Sequence, residues 1–210
     1  MPPERHGFLG SSDEEALRHR VKTELRQRLR ALRKTLPLAA CRERSARIVE
    51  RLAQLEPLSR ARSVALFWPL EERHEVDLRP LDALLRERGA RVAYPAVEGE
   101  AGTLTFRFVG SVDAMVEGSF GVREPSPEEP AAAPGELDVI VVPALALDTR
   151  GHRIGYGKGF YDRTIGAFAP PAVTIGVVYD FQLVAEVPQT EGDVPLDYVV
   201  TDARHFAQVP

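Results

Sequence analysis

A chain of 210 residues, 44% hydrophobic and 28% charged, has the make-up of a globular protein able to bury a substantial core. Its formal net charge is −4, and its single cysteine, Cys41, excludes an internal disulfide. No apolar run approaches the ~18 residues of a membrane helix, and the N-terminal "MPPERHGFLGSSDEE" has no apolar signal core, so a cytoplasmic location is expected.

Residues 1–14 are polar and hold Pro2, Pro3, Ser11 and Ser12, so a disordered tail is expected there, ahead of one domain over 15–210. Leu17, Val21, Leu25, Leu29, Leu32 and Leu36 recur at steps of three or four and predict an amphipathic helix closed by Pro37. From Leu17 to Leu36 there are eight Lys or Arg residues and one acid, Glu24. Such a helix in an acidic protein invites an anionic ligand, and a solvated basic face is the plainer alternative. A second helix fits Ala40 to Leu55, which places Cys41 as an inert thiol in a helical pattern. "RSVALFW" (Arg62 to Trp68) predicts a buried strand, and Asp77 to Gly89 a helix that ends where glycine can take positive φ.

"RVAYP" (Arg91 to Pro95) and "LTFRFV" (Leu104 to Val109) predict two more strands, the second at an edge. Residues 124–136, "EPSPEEPAAAPGE", read as a surface linker unable to pack a core. "LDVIVVP" (Leu137 to Pro143) and "AVTIGVVY" (Ala172 to Tyr179) are apolar on both faces and predict central strands. A helix is expected from Phe160 through "TIGAF", ending at Phe168, and a last short strand over "DYVVTD", Asp197 to Asp202. Strands and helices alternate, which predicts an α/β protein with a largely parallel sheet.

Between the central strands lies "IGYGKGFYDR", Ile154 to Arg163. It lacks the G-x-x-x-x-G-K-[ST] order of a Walker loop, since His152 stands at the first glycine position and Gly159 follows Lys158. It also lacks dinucleotide spacing, because Gly155, Gly157 and Gly159 alternate strictly. Yet it follows a strand and opens a helix, where backbone amides meet anions. Glycines let phosphate approach the backbone, Lys158 adds a charge, Asp162 is a candidate Mg²⁺ ligand, and Tyr156, Phe160 and Tyr161 can stack on a flat ring. The alternative is a glycine-rich turn with core aromatics. No Cys/His cluster has zinc spacing, and no Ser/His/Asp or Cys/His arrangement points to a protein nucleophile.

"LDVIVVPALALDTRGHRIGYGKGFYDR" resembles the signature of the 5-formyltetrahydrofolate cyclo-ligase family. "KTELRQRLRALRKTL", "FWPLEERHEVD", "VAYPAV" and "TIGVVYDFQLVAEVPQTEGDVPLDYVVTD" follow in family order, so the likeness runs from about Lys22 to Asp202. The resemblance implies a three-layer α/β sandwich with a central, mostly parallel sheet flanked by helices. It implies conversion of 5-formyltetrahydrofolate to 5,10-methenyltetrahydrofolate with ATP and Mg²⁺, releasing ADP and phosphate through a phosphorylated formyl group. A monomer acting on a folate, polyglutamylated or not, is expected, with no nucleic-acid or membrane partner.

Residue by residue, the resemblance assigns ATP to Lys22, Arg26, Arg153, Gly155, Tyr156, Gly157, Lys158, Gly159, Phe160 and Tyr161, with Arg153 and Lys158 catalytic. Arg30 extends the line of Lys22 and Arg26 along their helix. The folate falls to Leu70, Asp77, Tyr156, Gly157, Lys158, Gly159 and Phe160, and Mg²⁺ to Asp162 and Asp193. Asp148 and Asp197 are acids with weaker claims, and Trp68 is either a pterin wall or core. His74 and His152 are read as surface or loop-ordering residues. Leu78 stands where the family has threonine, and "EERH" (Glu71 to His74) is longer than in some relatives. This leaves open a related enzyme with a changed substrate, and a non-enzymatic RNA binder is the remaining rival.

Overall fold

The structure, a computed structural model, describes residues 11–99, 102–118 and 121–208. Helix α1 spans Ser11–Lys34, with acids Asp13 and Glu14 in its first turn and Arg33 and Lys34 in its last, each favoured by the helix dipole. The expected tail therefore shortens: residues 11–14 are helical, with Glu14 paired to Arg18 one turn on, and residues 1–10 lie outside the described set. α1 stops before Leu36, whose helical conformation Pro37 disfavours, and Pro37 then caps α2 (Leu38–Gln54). Cys41, Ser45, Ile48, Val49 and Leu52 form the buried stripe of α2, and the short α3 (Glu56–Arg60) follows it.

Strand β1 (Ser63–Ala65) leads through a 3₁₀ turn at Glu71–Arg73 to α4 (Arg79–Glu87). Gly89 has φ +78° and ends that unit, in accord with its expected role. β2 (Arg91–Glu98) pairs antiparallel with β3 (Thr103–Phe108), which lies at an edge. A small hairpin of β4 (Met115–Glu117) and β5 (Arg123–Pro125) had no clear pattern in the sequence. Next come β6 (Val139–Pro143), a second hairpin of β7 (Ala146–Leu147) and β8 (Arg153–Ile154), and α5 (Phe160–Ile165). β9 (Val173–Val177), β10 (Tyr198–Val200) and β11 (His205–Ala207) complete the chain.

The main sheet has the order β11-β10-β9-β6-β1-β2-β3. Its five inner strands are parallel, and both edge strands run antiparallel to their neighbours. Alternate residues serve opposite faces. Val64, Leu66, Val92, Tyr94, Val139 and Val141 pack with α2 and α4, whereas Ala65, Ala93, Ile140 and Val142 pack with Ile165 and Phe168 at α5. Three layers result, as expected for an α/β sandwich. Among the described residues no helix is long and apolar enough to cross a membrane.

The proline-rich stretch is more ordered than its composition predicts. Phe108 N donates to Pro130 O (2.8 Å) and Ala132 N to Phe106 O (2.7 Å), so 130–132 cover the outer edge of β3. Ala132 is buried. Backbone pairing to an open edge needs no apolar side chains, which is why the composition was misleading.

The acids with weaker claims are structural. Asp148 is fully buried; its carboxylate accepts from the amides of Arg150 (2.9 Å), His152 (3.0 Å) and Val187 (3.0 Å), which shapes the β7–β8 turn. Asp197 accepts from Thr174 N and Oγ1, both at 2.7 Å, tying β10 to β9. In the β7–β8 turn Gly151 has φ +83°, and a Cβ there would stand 2.2 Å from Leu196 O. Neither backbone can retreat, because Leu196 N also donates to Gly151 O (3.0 Å). Gly151→Ala should therefore cost roughly 2–4 kcal/mol from left-handed strain plus overlap. Thermal unfolding should show a midpoint lower by about 5–15 °C for a chain of this size; an unchanged midpoint would contradict the close approach.

Candidate active site

Strand order reverses between β1 and β6: β2 lies outside β1, and β9 and β10 lie outside β6. Ligand crevices in open α/β sheets form beyond the carboxyl ends of strands at such a point. A cleft of about 310 Å³ occupies it. Phe67, Trp68 and Leu70 after β1, Pro143 ending β6, and Leu104 of β3 supply apolar lining, and the loop between β8 and α5 supplies the rest.

That loop is built from both sides. Asp148 fixes the hairpin before it. Arg163 fixes its end, donating to Lys158 O (2.8 Å) and to Gly102 O (2.6 Å). Gly157 (φ +97°) and Gly159 (φ +68°) hold backbone conformations that side chains resist. Gly155 does not, and a Cβ there would meet open space. The helix that follows, α5, has only six residues and stops short of Phe168. Its dipole is correspondingly weak, and side-chain cations carry more of the local charge.

Those cations come chiefly from α1, whose basic face turns inward. Arg26 Nε donates to Gly155 O (3.1 Å), Arg30 Nη2 to Tyr156 O (3.0 Å), and Arg33 Nη2 to Tyr156 Oη (2.8 Å). Leu29 and Leu25 lie beside these arginines and pack on Ile154 and Ala146, clamping helix to hairpin. One turn earlier Lys22 is 3% exposed, donates to Thr190 Oγ1 (2.7 Å) and pairs with Asp193. Burial lowers the Arg26 pKa, and the neighbouring Arg30 charge lowers it further.

Arg153, 7% exposed, donates to Val194 O (2.7 Å) and pairs with Asp162. Burial pulls its pKa down, opposed by the carboxylates of Asp162 and then Asp193. Asp162 also accepts from the amide of Val194 (3.3 Å), next to Asp193. The two acids expected to serve a metal thus each face a buried cation, Asp162 with Arg153 and Asp193 with Lys22. Among the described residues no group of three His, Cys, Asp or Glu side chains forms a protein-only metal cage. Two carboxylates beside a glycine loop are donors of the kind Mg²⁺ takes, with waters completing its shell.

Lys158, Phe160, Tyr161 and Asp162 line the cleft with Gly155, Tyr156 and Gly159, as does Leu70. Lys22, Arg26, Gly157 and Asp193 stand outside the cleft lining, with Gly157 facing Arg26. Asp77 is placed differently from its expected position. It pairs with Arg79 (2.7 Å) and accepts from the Arg79 amide (3.0 Å), capping the start of α4. In this segment the acid that lines the cleft is Glu75, which accepts from Tyr156 Oη and Leu70 N (3.0 Å) and lies 3.7 Å from Arg33 Nη2. Burial and then the Glu75 charge push the Tyr156 pKa well above the usual tyrosine range.

Leu78 lies in the core against α2 and the sheet, so its difference from threonine does not alter the cleft wall. Trp68 both lines the cleft and packs edge-on to Tyr94 at 5.9 Å. His152 orders the β7–β8 turn through its amide, and His74 (φ +51°) ends the 3₁₀ turn that presents Arg73 and Glu75. Arg33, Glu75, Arg73, Arg123 and Glu124 escaped the sequence reading. Arg33 was one further helical step beyond Arg30. The others sit on irregular turns and a weak hairpin, where no period marks a face.

Fold and site together define an α/β enzyme with a cleft for a partly apolar ligand beside a cation-lined glycine loop. The family model described as the 5-formyltetrahydrofolate cyclo-ligase family matches residues 18–202. The 5-formyltetrahydrofolate cyclo-ligase of Mycolicibacterium smegmatis is 38% identical over 190 residues, covering 88% of this chain and 95% of that one. That of Escherichia coli is 32% identical over 179 residues, covering 84% and 97%. The NMR structure of Aquifex aeolicus 5,10-methenyltetrahydrofolate synthetase superposes with a TM-score of 0.79 at 31% identity, covering 90% and 93%. The chain belongs to the 5-formyltetrahydrofolate cyclo-ligase family and is an enzyme of that class.

Burial raises the pKa of Asp193, but hydrogen bonds from Lys22 and Thr190 outweigh it, so the net value lies below 3.8. A depressed carboxylate stabilises the fold above its unfolded pKa, and that contribution is lost as pH falls through the folded pKa. Wild type should therefore exceed Asp193→Asn in thermal stability at pH 7, and the gap should close below about pH 3.8. Paired melting curves from pH 7 to 3 check this; a gap independent of pH would contradict it.

Proposed function

We propose that the enzyme converts 5-formyltetrahydrofolate to 5,10-methenyltetrahydrofolate, with ATP phosphorylating the formyl oxygen. The observation that carries this reading is one cleft lined both by apolar and aromatic groups (Trp68, Leu70, Phe160) and by the glycine loop with Lys158 and Arg153. A pterin and a triphosphate need those two surfaces side by side.

The formyl oxygen attacks the terminal phosphorus of ATP, the bond to the bridging oxygen breaks, and ADP leaves. The activated carbon is then attacked by N10, which loses its proton. Expulsion of phosphate leaves the methenyl bridge. This chemistry asks the protein for positioning and charge complementarity more than for a nucleophile. Lys158 and Arg153 would meet the transferred phosphoryl group, aided by the amides of Gly155 and Gly159, which line the cleft. Lys22 and Arg26 would hold the nucleotide, Arg26 through the glycine loop it braces and Lys22 through the 190–194 turn. Tyr161 Oη is buried in the cleft wall without a hydrogen-bond partner, so it is available to a ligand oxygen. Glu75 would take the role first expected of Asp77, accepting hydrogen bonds from the aminopyrimidine edge of the pterin. Asp162 and Asp193 would hold Mg²⁺, which neutralises phosphate charge when bound.

Purified protein given 5-formyltetrahydrofolate and Mg²⁺ should develop the near-ultraviolet band of the methenyl product only when ATP is added. No band from folded protein that binds ATP would keep the nucleotide site and remove this substrate. Lys158→Ala should slow turnover by roughly tenfold or more, as loss of a transition-state cation does; wild-type kinetics would take the loop out of the chemistry. Asp162→Asn should raise the Mg²⁺ concentration needed for half-maximal rate, and an unchanged titration would leave Asp162 only its pairing with Arg153.

A further inference from the structure

The cleft does not account for all the positive charge around Tyr156. Arg30, Arg73 and Tyr156 also border a second void, of about 520 Å³, completed by Ala31, Arg33 and Lys34. Its charged lining is four cations and no carboxylate. The guanidinium carbons of Arg30, Arg33 and Arg73 stand 5.5, 5.8 and 5.7 Å from the centroid of one ring, that of Tyr156. Like charges so close repel, and Arg33 is only 3% exposed, where a charge is costly unless it is fully partnered. Glu75 is its nearby carboxylate, but that group also accepts from Tyr156 Oη and Leu70 N. Arg33 Nε is buried and has no hydrogen-bond partner. Among the described residues, neither Arg30 nor Lys34 forms an ion pair.

The geometry points to a binding site here for the anionic end of a molecule seated in the cleft, with its carboxylate or phosphate oxygens held by Arg30, Arg33, Lys34 and Arg73. Because Arg30, Arg73 and Tyr156 border both spaces, a ligand reaches the second from the first by passing Tyr156. Guanidinium groups match both kinds of oxygen in geometry and charge. Resting on the folate reading, the two sources are the glutamate carboxylates of the substrate and the phosphates of the nucleotide. The substrate tail is favoured, because the loop already gives phosphates Lys158 and Arg153.

Lys34 is exposed in the last turn of α1 and borders the second void but not the cleft, so Lys34→Glu and the milder Lys34→Gln test the site without touching the cleft. Calorimetry with a γ-linked triglutamate peptide and with inorganic tripolyphosphate needs no turnover. Wild type should bind at least one of them, and Lys34→Glu should weaken that binding about three- to tenfold, the scale of one exposed attraction lost and one repulsion gained. In kinetics, Lys34→Glu should raise KM for 5-formyltetrahydrofolate, leave it unchanged for the glutamate-free pteroate analogue, and leave kcat and the KM for ATP unchanged. A rise confined to the KM for ATP, with tripolyphosphate the better probe, would support the site and assign it to nucleotide phosphate. No binding of either polyanion by wild type, or equal affinities in wild type and both variants, would overturn the site even if turnover stands. Polyanion binding without any ATP-dependent cyclisation would support the site and sink the folate reading instead.

Discussion

Four cations on one helical face are an unfavourable arrangement by themselves, since like charges three or four residues apart repel. Lys22, Arg26, Arg30 and Arg33 coexist on α1 because each finds a partner on a distant part of the chain. Asp193 and Thr190 take Lys22, the carbonyls of Gly155 and Tyr156 take Arg26 and Arg30, and the Tyr156 hydroxyl takes Arg33. The Arg26 contact spans 129 residues of sequence. A loop with three glycines has many conformations open to it, and this helix selects one. The glycines alone would not do so, since Gly155 needs no special backbone angle. The first helix is therefore as much a part of the site as the loop it holds.

The regular parts of this architecture were legible because they obey simple periods. The leucines of α1, the stripe of α2, and the apolar runs of β6 and β9 each matched an element of the structure. Gly89 marked the end of α4, and the alternation at 104–109 marked an edge strand. The orientation of α1 was harder to read. Composition favoured a solvated basic face, and only the structure shows carbonyls and carboxylates waiting opposite it. Asp77 and Glu75 show the same limit at finer grain. Two residues apart, they look interchangeable in sequence, yet Arg79 draws Asp77 to the start of α4 while Tyr156 and the Leu70 amide keep Glu75 at the cleft. Both outcomes depend on partners that no local pattern reveals.

Around the cleft, three buried or nearly buried cations each face a carboxylate: Lys22 with Asp193, Arg153 with Asp162, and Arg33 with Glu75. Such pairs are poor stabilisers, because desolvation consumes much of what attraction supplies, and apolar packing of the same volume often does as well. The sheet faces around them are apolar, with Val64, Ile140, Val142 and Ile175 wholly or almost wholly buried. Among the described residues the buried cations Lys22, Arg33 and Arg153 thus gather where α1, the glycine loop and the 190–194 turn meet, at the place where strand order reverses. A set of charges already fixed by such partners acts on an incoming anion without first having to reorganise. Glu75, Asp162 and Asp193 hold the cations in position, and they also offset part of the charge of the site's arginines and lysines. An anion that replaces a carboxylate as the partner of one of these cations exchanges one charge-assisted bond for another of similar strength. Its net attraction to the site then falls chiefly on cations without a carboxylate partner, among them Arg30 beside the ring of Tyr156.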